Sequence, residues 1–182
     1  MNIVEQAQQI AHEAHDSIGQ KRKYSGEPYW VHTDEVALIV ADVSFDENML
    51  AAAHLHDVLE DVFPLKPNYG PALIVDRFGF DVFDLVVELT DVFTKENAPQ
   101  ANRKQRKLWE RQRMGRTSHE AKTIKLADLI SNTRSIVAND RDFANLYIRE
   151  KLDLLPYLVG GNPILLEIAK KQAEDSAKEL GL

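Results

Sequence analysis

Ala51-Ala-Ala-His-Leu-His-Asp-Val-Leu-Glu-Asp61 sets two histidines and three carboxylates among otherwise apolar residues. Read as a helix at about 100° per residue, it puts His56 and Glu60 on one stripe, Asp57 and Asp61 on the next, and His54 beside Asp61. The five polar side chains then occupy an arc of roughly 160°. Adjacent residues such as His56 and Asp57 cannot share one line along a helix, but their side chains can converge on an atom over the gap between them, and a metal ion is the usual such atom. Taken alone, a His-Asp pair is also what a buried histidine beside a solvated acid looks like. The surrounding sequence decides between the two.

Helical periodicity extends outward from this segment in both directions. Ile3, Ala7, Ile10, Ala11, Ala14 and Ile18 recur at three- and four-residue steps and predict an amphipathic helix ended by Gly19. Residues 20–29, Gln-Lys-Arg-Lys-Tyr-Ser-Gly-Glu-Pro-Tyr, form a basic loop shaped by Gly26 and Pro28. A second helix, from near Tyr29 to about Val43, carries His32, Val36, Val40 and Val43 on one face, which turns His32 inward. Asp46 is the expected N-cap of the helix that holds 51–61. Pro71 opens a short helix stopped by Gly79, and Asp81 caps the next one.

Thr117 to Glu120 reads as a capping box for a helix bearing Ile124, Leu126, Ala127 and Ile130. Asp128 lies on the apolar side of that helix, where a buried carboxylate needs a partner or a metal. Helices near 143–155 and 163–180 complete the chain. With no strand alternation, internal repeat or domain-scale linker, the expected fold is all-α, a single domain over 1–182.

Bulk composition narrows the function. The chain has 44% hydrophobic and 28% charged residues, as in soluble globular proteins. It lacks the run of roughly 18 apolar residues that a membrane span requires, and it does not open on a basic and then apolar leader. No membrane association is expected, and the expected location is cytoplasmic. Without cysteine, strong ligands come only from His, Asp and Glu. A net charge of -7 argues against broad nucleic-acid binding. Between Arg103 and Arg116, however, seven cations face the single acid Glu110, either as a pocket for a small anion or as a solvated face.

His32, then His56-Asp57, then Asp128 follow one another in the order that marks the HD-domain metal-dependent phosphohydrolases, and the chain resembles them. Gly19-Gln-Lys-Arg-Lys, Ser25-Gly-Glu-Pro-Tyr29, Leu55-His-Asp57, Glu60-Asp61, Phe78-Gly79, Leu89-Thr90 and Lys125-Leu-Ala-Asp128 with Asn132 are similar to the hydrolase domain of the RelA/SpoT family. That likeness covers roughly 7–134. It implies an enzyme that removes pyrophosphate from the 3′ position of guanosine tetraphosphate.

The same resemblance makes His32, His56, Asp57 and Asp128 ligands of Mn²⁺ or another first-row divalent ion. Two imidazoles and two carboxylates suit such an ion better than Mg²⁺. It makes Glu60 and Asp61 the residues that activate water, with Glu60 the expected base because it shares His56's stripe. Arg22 is then expected to stack on the base, Lys21 and Lys23 to meet phosphates, and Asn132 to contact the nucleotide. His12, His15, His54 and His119 are read as surface or supporting residues. Tyr24 is an extra residue in the basic loop, Thr33 stands where the family has proline, and Leu129 where it often has a basic residue. These departures leave another nucleotide, a deoxynucleoside triphosphate or the phosphate of NADPH, as the alternative substrate, and an inactive nucleotide-binding scaffold as the non-enzymatic alternative.

Overall fold

Helices alone build the protein, as the periodicity predicts. The computed structural model describes Met1–Leu182, with eight α-helices and no strand beyond an isolated bridge between Lys21 and Pro28. The chain divides into two compact units, Met1–Thr90 and Asp91–Leu182.

In the first unit α3 (Glu47–Leu55) packs against α1 (Ile3–Ser17), α2 (Trp30–Ala41) and α4 (Pro71–Leu89). Its central position follows from its composition. Ala51, Ala52, Ala53 and Leu55 are all fully buried, and a run of alanines lets neighbouring helices approach from several sides. α1 meets it through Ala7, Ala11 and Ala14, spaced at three and four residues. Asp46 caps α3 as expected, accepting from the amides of Asn48 and Met49. α4 bends at Gly79, where φ is 80° and ψ 179°, a backbone that only glycine adopts without strain. The break at Gly79 is therefore as read from sequence, but Asp81 lies inside the second helical half and does not cap it.

The second unit holds α5 (Arg103–Met114), α6 (His119–Asn139), α7 (Arg141–Leu154) and α8 (Pro163–Leu180). α6 packs on α7 and α8 around Ile124, Leu126, Ile130, Ile148, Leu158 and Ala169. Two caps differ from expectation. Ser118, not Thr117, caps α6 by accepting from Ala121 N at 3.1 Å, because the Thr117 hydroxyl turns back to donate to Met114 O. α7 begins two residues before Phe143 because Asp140 accepts from the Phe143 amide and so caps the turn ahead of it.

Candidate metal centre

The decisive segment does not stay α-helical. α3 ends at Leu55, and Val58–Val62 form a π-helical turn in which Phe63 N donates to Val58 O at 2.9 Å. Such turns insert an extra residue into the helical register and recur at functional sites. The regular pitch that set Glu60 on His56's stripe, and His54 beside Asp61, therefore fails from Asp57 onward. Glu60 is exposed, Asp61 is half-buried, and His54 faces Asp34 instead.

The register change leaves His56 and Asp57 at the junction, facing His32 of α2. One ligand atom from each of His32, His56 and Asp57 lies within 4.8 Å of the others. His56 Nε2 is 3.0 Å and His32 Nε2 3.8 Å from Asp57 Oδ2. Both imidazoles are buried, at 3% and 1% exposure, so little ordering remains to be done when an ion arrives. His56 Nδ1 lies 2.9 Å from Ala53 O. A carbonyl can only accept, so Nδ1 carries the proton and Nε2 keeps its lone pair toward Asp57, the tautomer a metal ligand requires. Two imidazole nitrogens and a carboxylate oxygen match the donor preferences of a first-row divalent ion.

Tyr29 adds a contact that sequence reading missed, donating its hydroxyl to Asp57 Oδ2 at 2.7 Å. It orients the carboxylate from outside the ligand set. Tyr29→Phe should weaken binding of a divalent metal ion at this cluster by about 10- to 100-fold, the usual cost of losing such a support, as measured by calorimetric titration. An unchanged affinity would show that Asp57 needs no help from Tyr29.

A second relay reaches Asp61. His15 Nδ1 lies 2.6 Å from Gln20 Oε1, and Gln20 Nε2 donates to Asp61 Oδ2 at 2.8 Å. His15 was expected at the surface or in support; it is fully buried on the Ala7–Ala11–Ala14 face of α1 and serves as support. Burial holds its imidazole below the usual range and therefore neutral at pH 7. The signal for His15 was its place four residues after Ala11.

Burial and the charge of Asp57 push the Asp61 carboxyl up to about 6 from its ordinary 3.8. The folded metal-free protein thus holds an extra proton between those values, and this group's contribution to stability falls as pH rises from 3.8 to about 6. Carboxyl ¹³C shifts of metal-free protein should give Asp61 a midpoint near 6, and a midpoint close to 4 would refute it.

The basic loop is closed by Arg22 N donating to Glu27 O and Gly26 N to Arg22 O. Arg22 is held by Glu35 at 3.2 Å, whereas Lys21 and Lys23 are exposed. Lys23 Nζ also stands 4.8 Å from the centre of the Tyr24 ring.

In the second unit Asp128 is buried on α6, at 5% exposure. Lys125 Nζ donates to it at 2.8 Å and Asn132 Nδ2 at 2.5 Å. These three residues, with Arg111, Tyr147 and Lys151, help line a cavity of about 340 Å³. The basic stretch is less bare than its sequence suggests. Arg103 pairs with Glu150, Arg111 with Asp153, and Lys107 with Asp91, while the buried Glu110 takes the amides of Val92 and Phe93 together with Arg113.

A profile of the HD domain matches residues 7–157. The chain belongs to the HD-domain family. This HD domain is 31% identical over 142 residues to a probable guanosine-3′,5′-bis(diphosphate) 3′-pyrophosphohydrolase of Synechocystis, covering 78% of the chain and 18% of the relative. A protein of the same description from Mycoplasma pneumoniae is 28% identical over 148 residues, covering 78% and 20%. The chain thus spans about a fifth of the length of the curated relatives it matches. Among solved structures, a metazoan ortholog of SpoT, described as hydrolysing ppGpp, superposes with a TM-score of 0.80 at 27% identity, covering 100% of this chain and 97% of that one. A Listeria monocytogenes protein at 22% identity and TM-score 0.60 shares the fold, with coverage of 81% and 99%. No helix of this HD domain is long and apolar enough to cross a membrane.

Proposed function

We propose that the protein is a metal-dependent phosphohydrolase that converts guanosine 3′,5′-bis(diphosphate) and water to GDP and pyrophosphate. The observation that carries this reading is the preorganised His32–His56–Asp57 cluster in a chain whose curated relatives are named probable guanosine-3′,5′-bis(diphosphate) 3′-pyrophosphohydrolases and whose structural neighbour, matched over 97% of its length, is described as hydrolysing ppGpp. On this reading residues 1–182 act as one HD phosphohydrolase domain in the cytoplasm, on a small anionic nucleotide and not on nucleic acid.

His32, His56 and Asp57 would hold the ion, with Asp128 as a fourth ligand and Mn²⁺ as the preferred metal. Asp128 enters through the motif order; its own surroundings support it in that the carboxylate is buried and already oriented by Lys125 and Asn132. When bound, the ion supplies a Lewis acid that acidifies water and polarises a phosphoryl oxygen. The side chains do the rest. Asp61, oriented by Gln20, and Glu60, in contact with solvent, take the proton from the attacking water. Water oxygen joins the phosphorus next to the ribose, the bond to the 3′ oxygen breaks, and that oxygen receives a proton as pyrophosphate leaves. Arg22 stacks on the base, Lys21 and Lys23 neutralise phosphate charge, and Asn132 fixes the nucleotide.

The test is metal-stripped protein incubated with guanosine tetraphosphate, deoxynucleoside triphosphates and NADPH, before and after Mn²⁺ is added back. Mn²⁺-dependent release of GDP and pyrophosphate supports the reading. Turnover of another panel member without turnover of the tetraphosphate overturns the substrate and keeps the metal chemistry. No turnover at all with Mn²⁺ bound leaves a nucleotide-binding scaffold.

A further inference from the structure

The way α1 ends brings a buried polar pair to the carboxylates of the candidate centre. Gly19 takes φ 62°, and the helix closes on Gly19 N donating to Asp16 O at 2.9 Å and Gln20 N donating to His15 O at 3.1 Å. In this kind of helix ending the two residues joined by the longer bond turn their side chains toward each other, and the contact is commonly apolar. Here it is His15 against Gln20, and His15 is fully buried. A buried imidazole costs stability unless its nitrogens are used. Nδ1 is used, 2.6 Å from Gln20 Oε1, whereas Nε2 is buried with no hydrogen-bond partner. The proton therefore sits on Nδ1, where it has an acceptor, and a second one on Nε2 would have none. With Oε1 held toward that N–H, the Gln20 amide can turn only its Nε2 to Asp61, donating to Oδ2 at 2.8 Å. A reversed amide would set two acceptors together at Asp61 and two donors together at His15.

His15 also backs the other carboxylate. Tyr29 N donates to Gln20 O at 3.1 Å, the Tyr29 ring lies 4.9 Å from that of His15, and the Tyr29 hydroxyl reaches Asp57. The two ends of the basic loop are thus pinned beside one imidazole. We propose that His15 is a positioning residue for the hydrolysis: acting through Gln20, it commits Asp61 Oδ2 to a hydrogen bond and presents Oδ1 to the attacking water. This rests on the phosphohydrolase reading above. The last torsion of an aspartate is broad, so fixing one oxygen decides where the other points.

The test compares wild type with His15→Leu, His15→Asn, Gln20→Met and the double variant His15→Leu/Gln20→Met, all loaded with Mn²⁺. Leucine removes the donor at similar volume, and asparagine puts an N–H close to the place of Nδ1. Methionine keeps the length of Gln20 without its amide; Gln20 is only half-buried, so this variant keeps the test open should His15→Leu misfold. His15→Leu and Gln20→Met should each lower kcat for guanosine tetraphosphate by about 10- to 100-fold at nearly unchanged KM. The double variant should be no slower than either single one, as for two members of one relay, and His15→Asn should recover most of the loss. Equal losses in His15→Asn and His15→Leu, or losses that multiply in the double variant, would overturn the proposal. A second measurement needs neither metal nor substrate. The Gln20 side-chain amide protons of the metal-free protein should exchange slowly with water in wild type and His15→Asn and fast in His15→Leu. If wild type does not turn over the tetraphosphate, the proposed function fails, and these protons alone decide the geometry: equal exchange in wild type and His15→Leu overturns the positioning of Asp61.

Discussion

On the proposed function, His56→Ala should abolish Mn²⁺ loading of the His32–His56–Asp57 cluster and lower kcat for guanosine tetraphosphate on the order of a thousandfold or more. The effect is large because His56 sits at the middle of the arrangement. Its Nε2 is 3.0 Å from Asp57, its ring packs 5.3 Å from that of His32, and its Nδ1–H is anchored to Ala53 O. Without that nitrogen, one imidazole and a single neighbouring carboxylate remain in the cluster. That is too few protein donors to hold a first-row ion against water, and unassisted water has a pKa far above neutrality. The fold should tolerate the change, since His56 is the C-cap of α3 with right-handed helical φ/ψ that alanine also adopts. Circular dichroism should therefore report an intact helical protein, while metal content and product release collapse together. Retention of Mn²⁺-dependent turnover would remove the cluster from the mechanism.

Lys151→Met should change how stability depends on pH. Lys151 is 1% exposed, and its ammonium meets only neutral acceptors: Thr133 Oγ1 at 2.8 Å, Gln172 Oε1 at 2.9 Å and Leu129 O at 3.4 Å. Burial lowers its pKa to about 7 from 10.5, against a smaller opposing pull from Asp128. Between those values the unfolded chain holds a proton that the folded one has released, so wild-type stability rises with pH through that window. Below about pH 7 both states are protonated, and the full cost of a buried charge weighs on the fold.

Methionine fills a similar volume and does not titrate. The stability of Lys151→Met relative to wild type should therefore be most favourable below pH 7 and fall by roughly 3–5 kcal/mol by pH 10.5. Urea unfolding at several pH values measures the difference directly. A difference that stays flat from pH 6 to 10 would mean that Lys151 keeps its charge in the folded protein, held by Thr133 and Gln172.

The basic stretch shows where reading in one dimension stops. Counting from Arg103 to Arg116 finds Glu110 as the only acid, and the fold then supplies Asp91, Glu150 and Asp153 from elsewhere in the chain. Glu110 itself is occupied by two backbone amides as well as Arg113. Charge pairing depends on which segments meet, and sequence distance carries no information about that. Surface pairs of this kind contribute little to stability, but they decide how much of the stretch is left to attract an anion.

The sequence by itself determined the helices and the kind of atoms available for chemistry. The apolar spacing of Ala7, Ala11 and Ala14, the Asp46 cap and the Gly79 break are local features with local causes, so they survive translation into structure. The absence of cysteine and the run His32, His56-Asp57, Asp128 restricted any metal to nitrogen and oxygen donors in the same way. Only the tertiary structure decided which carboxylates face which histidines. The π-helical turn at Val58–Val62 shifts the register after Asp57, sending Glu60 to solvent and Asp61 toward Gln20. No residue there forbids an ordinary helix. The packing of α3 among α1, α2 and α4 and the burial of Val58 and Val62 select the turn, and a register set by packing cannot be read from helical pitch.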